Sequence, residues 1–308
     1  MNKIEILKLD SLSREPMIVE GFLFKGSQPD APKVAIIGAM QGDALLPLHC
    51  SASLVNFLQN TIKINKILGD ILVIPSINHY ALNISEKFWP LDKTNLNMMF
   101  PGYHEGETTQ RIASKVFEAI KDYDYGIVLE ISSDQSTCIP HIELLKTGWE
   151  DIEGAKKFGF KIIHHKEVES IDTVTLQYNW QLWETKAYSV ICPTEQHIEQ
   201  ATSNQILEAI IRFLDQSKVV QYKIFNEYAS NILTKRNIKI IKAPQSGIFI
   251  SLKNPGEYIH KGDTLGEITN ALTGEVMYKF KAKFSGMIIT IFNNALVLEN
   301  SIVYRIAK

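Results

Sequence analysis

The stretch Val34-Ala-Ile-Ile-Gly-Ala-Met-Gln-Gly-Asp-Ala44 decides how this chain folds. It opens with four apolar residues, 34–37, and breaks at Gly38. This is the pattern of a buried parallel strand that runs into a loop. In open α/β sheets, ligands bind beyond the carboxyl ends of such strands. The loop 41–44 is therefore predicted to lie at a ligand-binding edge of the sheet.

The same alternation of strand and helix continues along the first two thirds of the chain. Short apolar runs predict strands at 4–9, 17–25, 34–37, 71–75, 125–131, 139–145, 161–165 and 187–192. Apolar residues at helical spacing predict helices at 47–59, 108–121, 174–186 and 195–216. Leu176, Trp180 and Trp183 are the predicted anchors of the third helix. This order predicts an α/β fold with a mixed, mostly parallel sheet and helices on both faces.

The pattern changes near Lys239, where short strands broken by glycine turns begin. Such a pattern predicts a small all-β domain. We therefore predict two domains, an α/β domain at 1–238 and a C-terminal β domain at 239–308.

Composition limits the classes of function. The 308 residues are 45% hydrophobic and 21% charged, which suits a globular chain with a sizeable core. The net charge of −2 argues against a general affinity for nucleic acid or anionic membranes. There is no apolar run of about 18 residues, so no membrane span is expected. The N-terminus lacks a signal-peptide apolar region, so the three cysteines are expected to be reduced thiols in the cytoplasm.

The long loop 76–106 carries the most specific motif. It reads Lys87-Phe-Trp-Pro-Leu-Asp92 and then Asn95-Leu-Asn-Met-Met-Phe-Pro-Gly102. This text resembles the succinylglutamate desuccinylase/aspartoacylase family, whose members typically read Arg-x-x-Pro-x-Asp-Gly-x-Asn-Leu-Asn-Arg-x-Phe-Pro-Gly. The resemblance implies a zinc carboxypeptidase-like α/β domain, followed by a barrel-like β domain similar to lipoyl and biotinyl barrels.

The positions that match the family's zinc ligands carry other residues. Family members hold zinc with a His and a Glu in the first loop and with a His after a later strand. The matching residues here are Gln41, Ala44 and Ser132. An amide and a methyl group are poor zinc ligands. Because the family's hydrolysis depends on zinc to activate water and polarise the carbonyl, the resemblance implies a fold without that chemistry.

The positions that match the family's substrate-binding and catalytic residues have also changed. The two arginines that hold the substrate fall on Lys87 and Met98, whereas Asn97 is unchanged. Lysine keeps the positive charge but lacks the two-pronged geometry of arginine. The family's catalytic Glu falls on Cys192, with Glu195 three residues further on.

Two repairs of the site remain open. His49, His79 and His141 lie near the matched motifs and together could rebuild a metal site. Cys192 could act as a metal-free nucleophile. Packed histidines and an inert buried cysteine are the more common occurrences of these residues.

The leading hypothesis is therefore a degenerate, non-catalytic family member that needs no cofactor. It would bind a small polar or carboxylate ligand, or act as a partner subunit of an active paralogue in a hetero-oligomer. The ligand-lining residues are predicted to be Gln41, Asp43, Lys87, Asn97 and Ser132. The alternative is a zinc-dependent amide hydrolase, acting on N-acyl amino acids or small peptides, with rebuilt metal ligands.

Overall fold

The computed structural model describes residues 1–11, 13, 15–62, 66–132, 136–194, 197–225 and 228–308. This part of the chain divides into two compact units. The first contains Met1–Glu130, His141–Ile191 and His197–Ile232, and the second contains Ile131–Pro140, Cys192–Gln196 and Leu233–Lys308. The predicted domains 1–238 and 239–308 stay a prediction, since compactness does not test whether each part folds alone.

Nine of the first ten strands form a mixed sheet. The ten strands are β1 (Asn2–Leu9), β2 (Met17–Phe24), β3 (Val34–Ala39), β4 (Ile71–Ser76), β5 (Tyr125–Ile131), β6 (Ser136–Cys138), β7 (His141–Lys146), β8 (Ile162–Glu167), β9 (Lys186–Cys192) and β10 (Asn231–Leu233). The strand order is β1-β2-β4-β3-β5-β9-β7-β8-β10, and β6 lies outside this sheet. Strand β3 runs parallel to β4 and β5, β7 runs parallel to β8, β2 pairs antiparallel with β1 and β4, and β9 pairs antiparallel with β7. The predicted α/β fold is confirmed.

The helices are α1 (Leu45–Asn60), α2 (His79–Leu82), α3 (Thr108–Ile120), α4 (Ile152–Lys156), α5 (Leu176–Leu182) and α6 (Gln200–Gln216), with two 3₁₀ helices at Leu96–Met98 and Ser170–Val174. The predicted helix 174–186 is too long. Helix α5 begins only after Thr175, whose side chain accepts from Tyr178 N. It ends because Glu184 adopts a left-handed backbone conformation, with φ of 63°. Helix α6 starts at Gln200, later than predicted.

Strand β3 shows why the opening stretch dominates the fold. All six of its residues are buried, because the strand is hydrogen-bonded on both edges and covered on both faces. Gly38 is needed here, since a Cβ at this position would lie only 2.3 Å from the Pro75 carbonyl oxygen and from Ser51 Oγ. The strand therefore delivers the loop 41–44 to the carboxyl-terminal edge of the sheet, directly before α1.

Two antiparallel sheets make up most of the second unit. Their strands are β11 (Ile238–Lys242), β12 (Gly247–Ser251), β13 (Tyr258–Ile259), β14 (Thr264–Thr269), β15 (Val276–Lys281), β16 (Gly286–Phe292), β17 (Leu296–Val297) and β18 (Ile302–Ala307). One sheet has the order β11-β18-β16-β13, with β6 paired to β16, and the other has the order β15-β14-β12-β17. The predicted all-β character of the C-terminal part is confirmed.

The tryptophans of the third predicted helix differ in their surroundings. Trp180 is fully buried, but Trp183 is 49% exposed, so its prediction as a buried anchor is wrong. Trp183 is the last residue before the left-handed Glu184, where the helical conformation ends. Among the described residues, no helix has the length and apolar character needed to cross a membrane.

Candidate functional site

The loop after β3 packs tightly against the segment that follows β4. Gly42 N donates to the Glu86 carbonyl oxygen at 3.0 Å. A Cβ on Gly42 would lie 2.1 Å from the Ala81 carbonyl carbon, so only glycine fits. Ala44 is the N-cap of α1 and has no side chain with which to cap the helix. The loop is thus held by close backbone contacts.

Gln41 has an unusual environment. Its Oε1 atom is buried and has no hydrogen-bond partner among the described residues. A buried acceptor without a donor is costly, and native structures contain few of them. Gln41 Oε1 therefore offers a ready acceptor to an N–H or O–H group of a ligand at this edge of the sheet.

Asp43 and Lys87 place opposite charges beside the same loop. Burial raises the pKa of the Asp43 carboxyl above its usual value, whereas a backbone hydrogen bond and the Lys87 charge oppose this rise. Lys87 Nζ also lies 5.6 Å from the centre of the Phe88 ring, within the range of a cation–π contact. The loop 41–44 and the neighbouring Lys87 therefore offer the Asp43 carboxyl group, the Lys87 amino group and the Gln41 amide.

Asn97 is buried and links three elements of the first unit. The Asn95 side chain accepts from Asn97 N at 3.2 Å and caps the 3₁₀ helix Leu96–Met98. Asn97 Nδ2 donates to Glu130 Oε2 on β5 at 3.0 Å, and its Oδ1 accepts from Leu176 N of α5 at 3.2 Å. Both ends of the amide are thus engaged within the fold.

Glu130 is a functional candidate that sequence reasoning missed. Its second oxygen accepts from Ser189 Oγ on β9 at 2.9 Å. Burial is the main cause that raises the pKa of the Glu130 carboxyl to about 7. The bond from Ser189 opposes this rise, and the nearby charge of Glu143 adds to it. The available signal was an acidic residue interrupting the buried run of β5, close to its carboxyl end.

A compact ion cluster lies beside Glu130 on β7 and β8. Glu143 Oε2 pairs with His164 Nδ1 at 3.0 Å, and Lys166 Nζ donates to Asp172 Oδ1 at 2.9 Å. Burial raises the pKa of Glu143, but the bond from His164 and the Lys166 charge outweigh burial and hold it at about 2. Two buried carboxyl groups of the same unit therefore have pKa values displaced in opposite directions.

The remaining predicted positions have contacts of their own. Met98 is partly buried on the 3₁₀ helix. Ser132 and Cys192 belong to the second unit, where Ser132 N donates to the Cys192 carbonyl oxygen at 3.0 Å. The Ser132 and Ser136 hydroxyl groups lie 2.8 Å apart, and the Cys192 side chain is fully buried. Glu195 lies outside the described residues.

The side chains of the described residues are not grouped as ligands of a zinc ion. Of the three histidines considered as replacement ligands, His49 lies on α1, His79 Nε2 lies 3.2 Å from the Ser76 carbonyl oxygen, and His141 is buried at the start of β7. Within the described ranges, no three or more His, Cys, Asp or Glu side chains are grouped so that they could hold a metal. These histidines therefore do not form a ligand set with each other.

The comparison with known families rests on the segment that contains this site. Residues 30–148 match the model of the succinylglutamate desuccinylase/aspartoacylase catalytic domain. This segment is therefore similar to the catalytic domain of that family. The matched segment includes the loop 41–44, the Asn-Leu-Asn motif and Glu130. A sequence search among curated proteins finds no relative.

Solved structures of the succinylglutamate desuccinylase/aspartoacylase family share the fold along almost the whole chain. A family protein from Rhodobacter sphaeroides superposes with a TM-score of 0.80 at 14% identity, covering 97% of this chain and 92% of its own. An aspartoacylase family protein from Mesorhizobium loti has a TM-score of 0.78 at 18% identity, with 100% and 95% covered. The ectoine utilization protein EutE from Ruegeria pomeroyi has a TM-score of 0.78 at 16% identity, with 98% and 93% covered. At these identities the likeness shows the fold.

The contrast between the two amides of the site leads to a first prediction. We expect Gln41→Met to leave the free energy of unfolding unchanged or to raise it by up to about 1 kcal/mol, because Oε1 has no hydrogen bond to lose. Asn97→Leu is the matched control. It is expected to cost about 2 kcal/mol, because it strands the Glu130 carboxylate and Leu176 N. Urea unfolding measures both; equal losses in the two variants would show that Gln41 has a partner.

Proposed function

We propose that this chain is a non-catalytic member of the succinylglutamate desuccinylase/aspartoacylase family that binds a small polar ligand. The observation that carries the proposal is the loop after β3. Gln41 and Ala44 stand where the family has zinc ligands, and Ala44 is a buried N-cap without any donor atom. A hydrolase of this family needs a metal to activate water, and neither Gln41 nor Ala44 is a good ligand for it.

The ligand is a small molecule that carries a hydrogen-bond donor and a carboxylate. Gln41 Oε1 lacks a partner in the described part of the chain and would accept from the donor. Lys87 supplies the positive charge for the carboxylate, as a point charge rather than a two-pronged clamp. Asn97 keeps the long loop attached to β5 and α5, because both ends of its amide are already engaged. The ligand contacts are therefore assigned to Gln41, Asp43 and Lys87.

The proposed setting is a cytoplasmic complex with an active paralogue. A protein that keeps a family's fold without its metal can still occupy a subunit position. Co-purification from the native cell, followed by identification of an associated family member with intact zinc ligands, tests this part. Recovery of the chain without any family member would contradict it.

Metal content is the second prediction and tests the proposal directly. The protein, purified without a histidine tag, incubated with zinc and desalted, is expected to hold well under one zinc ion per chain by elemental analysis. Stoichiometric zinc that disappears on changing His49, His79 or His141 to alanine would instead establish the alternative. The protein would then be a zinc-dependent amide hydrolase with rebuilt ligands, to be assayed on N-acyl amino acids.

A gain-of-binding variant is the positive control for that measurement. Combining Gln41→His, Ala44→Glu and Ser132→His supplies the family's ligand types at the matching positions. We expect the folded triple variant to retain zinc after desalting, because three such ligands suffice for a catalytic-type site. A folded but metal-free triple variant would show that these three positions do not correspond to the family's site.

A further inference from the structure

Strand β1 forms one edge of the nine-stranded sheet, and none of the proposed ligand contacts lies on it. It is the first strand of the nine-stranded order, paired on one side with β2 and on the other with no described strand. With eight residues, it is the longest of the strands that end a described sheet. A long open edge presents unpaired backbone N–H and C=O groups and invites pairing with another chain.

The side chains of this edge divide cleanly between two faces. One face is apolar and packs against the main core; its residues are Ile4, Ile6, Leu7 and Leu9. The other face is charged and exposed; its residues are Lys3, Glu5, Lys8 and Asp10. The pattern of apolar and charged residues is therefore symmetric about the midpoint between Ile6 and Leu7. On either side of this point, the order is apolar, charged, apolar, charged.

A β-bulge produces this symmetry. The pairing of β1 with β2 shifts between Glu5 and Leu7, so Ile6 is an extra residue. In a regular strand, positions 4 and 9 would point to opposite faces, since side chains alternate. The extra residue shifts the alternation by one, which puts Ile4 and Leu9 on the same face.

An antiparallel pair about a twofold axis requires that facing residues share a face of the sheet. With the axis between Ile6 and Leu7, the bulged strand meets this condition at every position. Ile4 then faces Leu9 of a second copy, Glu5 faces Lys8, and Lys3 faces Asp10. Every apolar residue meets an apolar residue, and every charge meets its opposite, twice over by symmetry.

We infer that two copies of this chain associate through β1, pairing antiparallel about a twofold axis between Ile6 and Leu7 and joining their sheets into one. The charges of the single copy favour this partner. Glu5 lies opposite Glu20 on β2; Glu20 pairs with Lys3 at 2.6 Å, whereas neither Glu5 nor Lys8 forms an ion pair with another described residue. Lys8 of the second copy places a cation beside that acidic pair.

Other sheet edges of the described chain lack this self-complementarity. Strand β11 carries Lys239 and Lys242 with no acidic residue, and β15 carries Lys279 and Lys281 with no acidic residue. Pairing either strand with its own copy would leave lysines without counter-charges, which is the usual protection of an edge. The contact is therefore assigned to β1.

Charge reversal at β1 tests the inference. Sedimentation of the full chain, without an N-terminal tag, is expected to show a dimer that dissociates on dilution and weakens with salt. Glu5→Lys and Lys8→Glu are each expected to weaken the dimer by about tenfold or more, since each creates two like-charge contacts. Glu15→Lys makes the same charge change outside the strand and should have no effect.

Mixing the two variants separates this register from any general effect of charge. One variant contributes only basic residues at positions 5 and 8 and the other only acidic ones, so the mixture is expected to form a heterodimer. The double variant Glu5→Lys/Lys8→Glu is expected to recover the dimer by itself. A wild-type chain that stays monomeric up to about 100 µM would overturn the inference. So would variants that dimerise like the wild type, or a mixture that stays monomeric.

Discussion

Replacing Trp180 with alanine is expected to lower the free energy of unfolding by about 3–5 kcal/mol, the range for truncating a large buried aromatic residue. The Trp180 side chain is fully buried, and its Nε1 donates to the Ile120 carbonyl oxygen at 3.3 Å. The ring also fills the space above Gly126, where a Cβ would lie 2.6 Å from its Cε3 atom. Truncation would open a cavity between α5 and β5 and remove one of the two donors to the Ile120 carbonyl oxygen, which also accepts from Tyr123 N at 3.4 Å.

Trp183→Ala is the matched control for this prediction. Trp183 is 49% exposed and meets Phe117 edge-on at 5.2 Å between ring centres. We expect its loss to cost about 1 kcal/mol, the scale of one aromatic pair and part of a buried surface. Urea unfolding followed by circular dichroism compares the two variants. Similar losses for both would mean that the core does not depend on Trp180 in the way described.

The second large effect concerns pH. Burial raises the pKa of Glu130 to about 7 from its usual value of 4.5. The folded protein thus holds this proton more tightly than the unfolded chain does. Stability is lost as the pH rises from 4.5 to 7, and the full penalty applies above 7. A displacement from 4.5 to 7 corresponds to about 3 kcal/mol.

Glu130→Gln is expected to remove this penalty. The glutamine oxygen can accept from Asn97, and its amide group can donate to the Ser189 hydroxyl, so both contacts of Glu130 have a neutral equivalent. Relative to the wild type, the variant should gain up to about 3 kcal/mol between about pH 4.5 and pH 8. Urea unfolding at several pH values measures the difference. A constant difference across this range would show that Glu130 titrates normally.

Glu143→Gln should behave in the opposite way. The bond from His164 and the Lys166 charge overcome burial and lower the pKa of Glu143 to about 2, so its carboxylate contributes stability above pH 4.5 that is lost as the pH falls towards 2. Glutamine at this position is expected to destabilise the protein at neutral pH. Comparing Glu130→Gln with Glu143→Gln thus distinguishes the Glu130 carboxylate, which destabilises the fold, from the Glu143 carboxylate, which stabilises it.

Local sequence was sufficient for the elements whose environment is uniform. Strand β3 is buried on both faces, so its unbroken apolar run could be recognised without a partner. Helix α3 buries one face, so its residues Ile112, Val116 and Ile120 recur at helical spacing. The motif from Asn95 to Gly102 likewise identified the family, because its residues and their spacing are specific.

Sequence spacing failed where the outcome depended on distant residues. Trp180 and Trp183 both fit the spacing of one helix face, but only the Trp180 ring packs over Gly126. The pKa of Glu130 follows from its burial near Glu143, which comes from another strand.

The sequence by itself determined the order of strands and helices and the residue types at the candidate site, since both follow from local patterning and a specific motif. Only the tertiary structure decided which polar groups are left without partners, such as Gln41 Oε1, and which are satisfied, such as the Asn97 amide. It also decided that the bulge at Ile6 makes β1 symmetric. The physical reason is that burial, hydrogen bonding and strand register depend on residues far apart in the chain, and folding alone brings them together.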